Sequence, residues 1–158
     1  MDKLISDCAR AETSARTKDI LRALVIADWQ SEPYQENQNF ADNRYATIKS
    51  ATNRVMNRSG APADCWLLAL MYVCYVLNVL FSATLGWVPP LQVLTGQTQD
   101  TSALFVCSFY EPVYYNPHYD GFPSSITEQL GRWAGVATHV GDALTFKILT
   151  TSNKVIYR

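Results

Sequence analysis

Histidine is scarce in this chain of 158 residues, which has only His118 and His139. Cysteine is scarce as well. Cys8, Cys65, Cys74 and Cys107 form no C-x-x-C pair, and neither histidine flanks one. Structural zinc ligands come in such close pairs, so a zinc site is not expected. A disulfide framework is not expected either, because a chain this long and apolar can build a core without staples. Buried free thiols in a reducing compartment are the simpler reading. Charge is also sparse: 17% of residues are charged and the formal net charge is -1. A polycation is therefore excluded, and any nucleic-acid surface must be local. Long apolar runs are missing too. The longest, Trp66 to Phe81, has 16 residues, is bounded by Asp64 and contains Asn78. A membrane span needs about 20 residues, so this run reads as a buried helix, in the core or at a subunit interface. Met1 to Arg10 is of mixed charge with no apolar stretch, so no signal peptide is expected. The expected location is intracellular, nuclear or cytoplasmic, with no membrane partner.

Apolar residues are plentiful. They make up 48% of the chain, enough for a packed core. Glu12 to Leu24 reads as a helix, with Ile20, Leu21 and Leu24 in one stripe. Leu24 to Asp28 is a short β-like run, and Gln30 to Gln38 is a polar loop containing Pro33. Asn39 to Asn57 carries a strong helical pattern, with Ala41, Tyr45, Ile48, Thr52, Val55 and Met56 on one face. Gly60 and Pro62 end it, and a second helix is expected over Ala63 to Phe81. Pro90 to Leu94 reads as a short helical turn ending near Gly96. Beyond Gly96 the character becomes strand-like. Ala103 to Phe109, Pro112 to Tyr115, Arg132 to Val140, Ala143 to Leu149 and Lys154 to Tyr157 are the expected strands, the last three as a meander. Asn116 to Leu130 is a polar loop. The expected class is mixed α and β, with a helix-rich region 1–96 and a β-rich module 103–158.

Two carboxylates stand out by context. Asp7 follows a possible strand end in Ile5-Ser6-Asp7, and Asp42 lies in the first turn of the long helix, 34 residues intervening. Spacing alone proves little: with 14 acids, roughly one pair is expected at any given separation by chance. An acid in a helix's first turn commonly serves the helix dipole, and a Ser-Asp after a strand commonly serves a turn. At 100° per residue, Gln38, Asp42, Lys49 and Asn53 share one polar stripe, which by itself reads as a solvated face. Between Asn43 and Ala63 there is no acid, but Arg44, Lys49, Arg54 and Arg58 are present. Arg54 and Arg58 lie away from the stripe, against DNA backbone or simply in water. The aromatic cluster Phe109, Tyr110, Tyr114, Tyr115 and Tyr119 has two readings, base stacking and, more simply, β-propensity.

The order of these segments resembles the catalytic core of copia-type retrotransposon integrases, which has a ribonuclease-H-like fold and an Asp-Asp-Glu triad. Ser6-Asp7-Cys8-Ala9 stands where that family has Ser-Asp-Asn-Gly or a close variant. Ser31-Glu32-Pro33-Tyr34, followed by Gln38-Asn39-Phe40-Ala41-Asp42-Asn43-Arg44, resembles Ser-x-Pro-Tyr … Gln-Asn-x-Ala-Glu-Arg. Pro90-Leu91-Gln92-Val93-Leu94-Thr95-Gly96 resembles Pro-x-Glu-x-Leu-x-Gly. Gly131 to Gly135, Leu144 to Leu149 and Lys154 to Tyr157 resemble the family's small β module.

The resemblance implies the second half of an integrase core, followed by a small β-meander or barrel-like module truncated at its end. It implies a fragment acting in DNA integration by metal-dependent strand transfer, inactive alone. Asp7 and Asp42 would be the catalytic carboxylates and ligands of Mg²⁺ or Mn²⁺, hard cations that suit oxygen donors. Gln38, Lys49, Asn53 and Arg44 would contact DNA. Partners would be DNA, the rest of the integrase or polyprotein, and a second copy of the chain. Two departures bear on activity. The family's first catalytic Asp has no counterpart here, and position 42 is Asp where the family has Glu, one methylene shorter. The alternative is a non-catalytic nucleic-acid-binding or assembly module derived from such a core.

Overall fold

The computed structural model describes residues 3–6, 14–30, 40–117, 128–140 and 144–158. They belong to two compact units, Met1–Lys49 and Ser50–Arg158. The mixed α and β class is what the sequence leads one to expect. The change from helical to strand-rich character near residue 100 falls inside the second unit.

In the first unit, strand β1 (Lys3–Ser6) is followed by helix α1 (Ala15–Ala23) and strand β2 (Ala27–Gln30). The strands pair in parallel, Lys3 with Ala27 through Ser6 with Gln30. A parallel pair needs a crossover, and α1 supplies it. Ser14 opens α1, its Oγ accepting the Thr17 N–H at 3.3 Å, the usual work of a serine N-cap. Leu21 is the buried residue of the helix. The β-like run expected over Leu24–Asp28 lies about three residues later, because residues 24–26 are used to stop α1. Val25 N–H bonds to the Arg22 carbonyl at 3.2 Å and Ile26 N–H to the Leu21 carbonyl at 2.9 Å. This is the Schellman pattern, whose central position favours glycine. Here that position holds Val25, at φ 56°, a β-branched residue in the left-handed region. Val25→Gly is therefore expected to stabilise this unit by about 0.5–1 kcal/mol, read as a shift in the urea midpoint. A destabilised variant would contradict the strain.

Helix α2 (Phe40–Ser59) covers the strongest helical signal in the sequence. Its apolar face is buried only toward its end. Phe40 and Tyr45 are exposed, whereas Thr52 is buried, and Val55 and Met56, themselves part of the second unit, pack against its core. Gly60, at φ 65°, ends the helix with its N–H on the Met56 carbonyl at 3.0 Å. A 3₁₀ turn (Ala63–Cys65) leads into α3 (Trp66–Val79). The helix, expected to lie in the core or at a subunit interface, is buried on one side within this chain. Ala69, Val73 and Val79 are inside, while Trp66, Leu67 and Met71 are exposed. A uniformly apolar helix carries no periodic signal to tell its faces apart. Among the described residues no helix is long and apolar enough to cross a membrane. Helix α4 (Pro90–Thr95) starts with proline and stops at Gly96, at φ 72°, as its sequence suggests.

The segment Ala103–Phe109, strand-like in sequence, instead forms a single helical turn, α5 (Ala103–Val106). Four consecutive apolar residues suit a buried strand or a helical turn equally well. The residues before them decide. Asp100 Oδ1 accepts the Ser102 N–H at 2.8 Å, bending the chain so that Leu104 N–H reaches the Thr101 carbonyl at 3.0 Å. The same hydrogen bond holds the Asp100 carboxyl below its ordinary range. Phe105 and Val106 point to solvent.

Strands β3 (Pro112–Tyr115), β4 (Gln129–Val136), β5 (Phe146–Thr150) and β6 (Val155–Tyr157) form one antiparallel sheet in sequential order. The meander thus has four strands, where three are expected from the sequence. Pro112–Tyr115 reads as a strand, but its partner is separated from it by a long polar stretch. Its register, Pro112 with Arg132 through Tyr115 with Gln129, makes it the edge beside β4. A proline suits an edge, because it cannot donate to a ladder. The β4–β5 register slips between Trp133 and Gly135, and Gly135 takes φ 117° there, a conformation that favours glycine. Ala69, Phe109 and Ala134 centre the core cluster. Tyr72 stacks on Phe109 at 5.4 Å and meets Trp133 edge-on at 5.7 Å. Cys65 is buried and Cys74 and Cys107 partly buried, all three free thiols.

Candidate nucleic-acid interface on helix α2

Of the six residues singled out by sequence, four lie on α2. Asp7 and Gln38 are outside the described residues. The residue before Asp7, Ser6, ends β1 and pairs with Gln30 at the end of β2.

Asp42 stands in the first turn of α2, where a negative charge meets the positive end of the helix dipole. Its side chain is exposed. It makes no hydrogen bond or ion pair among the described residues, which leaves its oxygens open to solvent species. Lys49 and Asn53 follow seven and eleven positions later, so all three lie within roughly 20° of one line along the helix. Lys49 and Asn53 are exposed as well. Three of the four residues of the expected stripe therefore form a solvent-facing line with one carboxylate, one ammonium and one amide, and the fourth, Gln38, lies outside the described residues.

Arg44 is elsewhere on the helix. At 100° per residue it lies roughly 160° round from Asp42, nearer to Arg54 and Arg58 than to Lys49. All three arginines are exposed. The cations of α2 thus form two lines, Lys49 on one side and Arg44, Arg54 and Arg58 on the other. A phosphate backbone lying along the Asp42 stripe meets Lys49 and Asn53 and misses Arg44.

The chemistry open to this surface is that of point charges on a rigid element. Lys49 can neutralise a phosphate, and Asn53 can donate to a phosphate or base edge. Asp42 supplies hard oxygen donors of the kind Mg²⁺ and Mn²⁺ take. No group of three or more metal-ligating side chains occurs among the described residues.

No protein-family model matches the chain, and no curated protein matches it. Among solved structures it is similar to a chain of the simian T-cell lymphotropic virus intasome in complex with PP2A regulatory subunit B56 gamma, determined by cryo-electron microscopy. The likeness has a TM-score of 0.44 and 14% identity, over 99% of this chain and 54% of that one. The chain spans about half of that neighbour's length, and a likeness at this level fixes neither family nor function.

Proposed function

We propose that this chain is the downstream part of a copia-type retrotransposon integrase and that the Asp42–Lys49–Asn53 line of α2 lies against DNA. The observation that carries the reading is the realised order of elements. A parallel β–α–β unit is followed by a long helix whose first exposed turn bears Asp42. That is the order in which the integrase-like motifs occur in the sequence. In this reading Asp7 and Asp42 would hold Mg²⁺ or Mn²⁺, which when bound would supply activation of the attacking oxygen and stabilisation of the leaving one. Asp42 fits as an oxygen donor because it is exposed and uncommitted among the described residues. Lys49 and Asn53 hold and orient the strand beside it. The remaining partners are the rest of the polyprotein and a second copy of the chain, with DNA contact placing the work in the nucleus or cytoplasm.

The DNA contact is tested with labelled duplex DNA and the whole chain, by fluorescence anisotropy over a salt series. Binding is expected to weaken steeply with salt. Lys49→Ala is expected to lower affinity several-fold and to flatten the log–log slope by about one. Arg44→Ala is expected to do less, being on the other side of the helix. Binding that ignores both salt and Lys49 would remove the proposal.

A second reading is a non-catalytic DNA-binding module derived from such a core, favoured by the Asp at position 42 where the family has Glu. The shorter side chain falls short by about one carbon–carbon bond, and such sites need placement within about 0.5 Å. Metal-dependent joining separates the two readings. Joined to an upstream segment that bears a further carboxylate and carrying Asp42→Glu, the integrase reading expects Mg²⁺-dependent end joining. The second reading expects salt-dependent binding that never requires Mg²⁺.

A further inference from the structure

The four-stranded sheet has two faces of different character. Its alternation puts Tyr115, Gly131, Trp133 and Ile148 on one face, all buried. The registers place Tyr114, Leu130, Arg132, Lys147, Leu149, Val155 and Tyr157 on the other. Only Leu149 of these is buried; Tyr114 is 73% exposed and Tyr157 40% exposed. The solvent face of an antiparallel sheet is normally polar, with charges of both signs. Here no acid occurs anywhere within β3, β4, β5 or β6, and the only charges in these strands are Arg132 and Lys147.

The face is also ordered along a diagonal. Tyr114 on one edge strand lies opposite Leu130, two residues along β4 from Arg132, and Lys147 on β5 lies directly opposite Tyr157 on the other edge. With ~4.8 Å between strands and ~3.3 Å per residue along them, Tyr114 and Tyr157 are on the order of 20 Å apart, with the two cations between. Arg132 is held in place. Its guanidinium lies 5.0 Å from the Tyr110 ring centroid, and Nη1 donates to the Tyr110 carbonyl at 3.5 Å. Lys147 is partly sheltered by its neighbours, which lowers its pKa from the ordinary lysine range. The nearby carboxylates stand outside the strands. Glu111 accepts the Ser108 N–H at 2.7 Å, and Glu128 precedes β4.

We infer that this sheet face is a binding surface for a single-stranded nucleic-acid segment, with Tyr114 and Tyr157 stacking bases and Arg132 and Lys147 meeting the phosphates between them. Exposed aromatic planes take any base, and cations follow the backbone, which is the pairing that single-strand surfaces use. An anionic polymer is favoured over a basic partner by the lack of acids, and over a purely apolar one by the two cations between the rings. Bases are favoured over bare phosphate by two rings left open at the edges. The site is independent of α2 and so does not rest on the integrase reading.

The test is anisotropy of a labelled 12-nucleotide oligo-dT or oligo-U strand with the whole chain. Tyr114→Ala and Tyr157→Ala are each expected to weaken binding about 10-fold, while Tyr114→Phe keeps it. Tyr114 is exposed enough for its truncation to leave the fold intact, which circular dichroism checks. Lys147→Gln is expected to weaken binding and flatten its salt slope. An abasic strand of the same length should bind at least about 10-fold more weakly. Equal binding of the abasic strand, or tyrosine variants without effect, would overturn the inference. Self-association of the chain abolished by Tyr114→Ala, with oligonucleotide binding untouched, would overturn it in favour of a second copy as occupant.

Discussion

Trp133→Ala is expected to cost about 3–5 kcal/mol of folding stability, as truncation of large buried aromatics does. Trp133 is 2% exposed and sits at the middle of β4, opposite Ile148. Tyr72 of α3 meets its ring edge-on at 5.7 Å, a pairing worth about 0.5–1.5 kcal/mol beyond area. Its backbone closes the sheet against the start of β3, with Tyr110 N–H on the Trp133 carbonyl at 2.8 Å and Trp133 N–H on the Glu111 carbonyl at 2.9 Å. Against a typical total of about 5–15 kcal/mol, the loss leaves the second unit marginal. Urea unfolding followed by far-ultraviolet circular dichroism reads it. One detail separates packing from polarity. The indole Nε1 is buried and has no hydrogen-bond partner among the described residues, a state that costs on the order of 1–3 kcal/mol. Trp133→Phe removes that donor together with part of the volume, so its net cost is expected to be only on the order of 1–2 kcal/mol. A phenylalanine as damaging as alanine would show that the indole nitrogen is not the burden it appears by geometry.

Gly131→Ala is expected to cost about 3 kcal/mol, the upper end of what overpacking does. A Cβ at this position would lie 2.4 Å from Ile148 Cγ2, 3.2 Å from the Leu149 carbonyl oxygen and 3.2 Å from Tyr115 Cδ1. None of the three gives way easily. Ile148 is buried and β-branched, so its χ1 is stiff. The Leu149 oxygen belongs to the backbone of β5. Tyr115 is buried and its hydroxyl donates to Gln129 Oε1 at 2.8 Å. The same denaturation experiment measures the loss. Combining Gly131→Ala with Ile148→Ala should cost less than the two single changes added, because the isoleucine methyl is the nearest obstacle. Strict additivity would mean that the clash is not with Ile148.

These two residues mark where reading the sequence stops. Gly131 and Trp133 are legible as part of a strand, and Gly131-Arg132-Trp133-Ala134-Gly135 is legible as a motif. That glycine is required at 131 by a side chain from β5, and at 135 by a slipped register, is not. Those reasons come from residues brought together across the sheet. The same holds for α5. Its four apolar residues fit a strand as well as a helical turn, and a carboxylate three positions before the turn decided between them. The candidate site divides likewise. The Asp42–Lys49–Asn53 line follows from helical periodicity alone, and its exposure in the structure agrees. That Arg44 faces away from it also follows from periodicity, once the helix is known to be regular through Ser59. The acid-free sheet face was hidden because its members come from four strands. In sequence they are lone cations and scattered tyrosines, of which Tyr114 has a base-stacking reading that β-propensity explains more simply.

Local chemistry was sufficient for everything that depends on neighbours within a turn or two. Capping by Ser14, the stops at Gly60 and Gly96, the faces of α2 and the mixed α and β class all rest on such interactions. Tertiary structure decided which apolar surfaces are covered. It buried Ala69 and Val73 and left Trp66 and Leu67 open on the same helix. It added β3 to the meander as an edge strand. It also joined Tyr114, Arg132, Lys147 and Tyr157 on one face. The physical reason is that burial and strand register are settled by contacts between segments distant in sequence, while periodicity records only the neighbours along the chain.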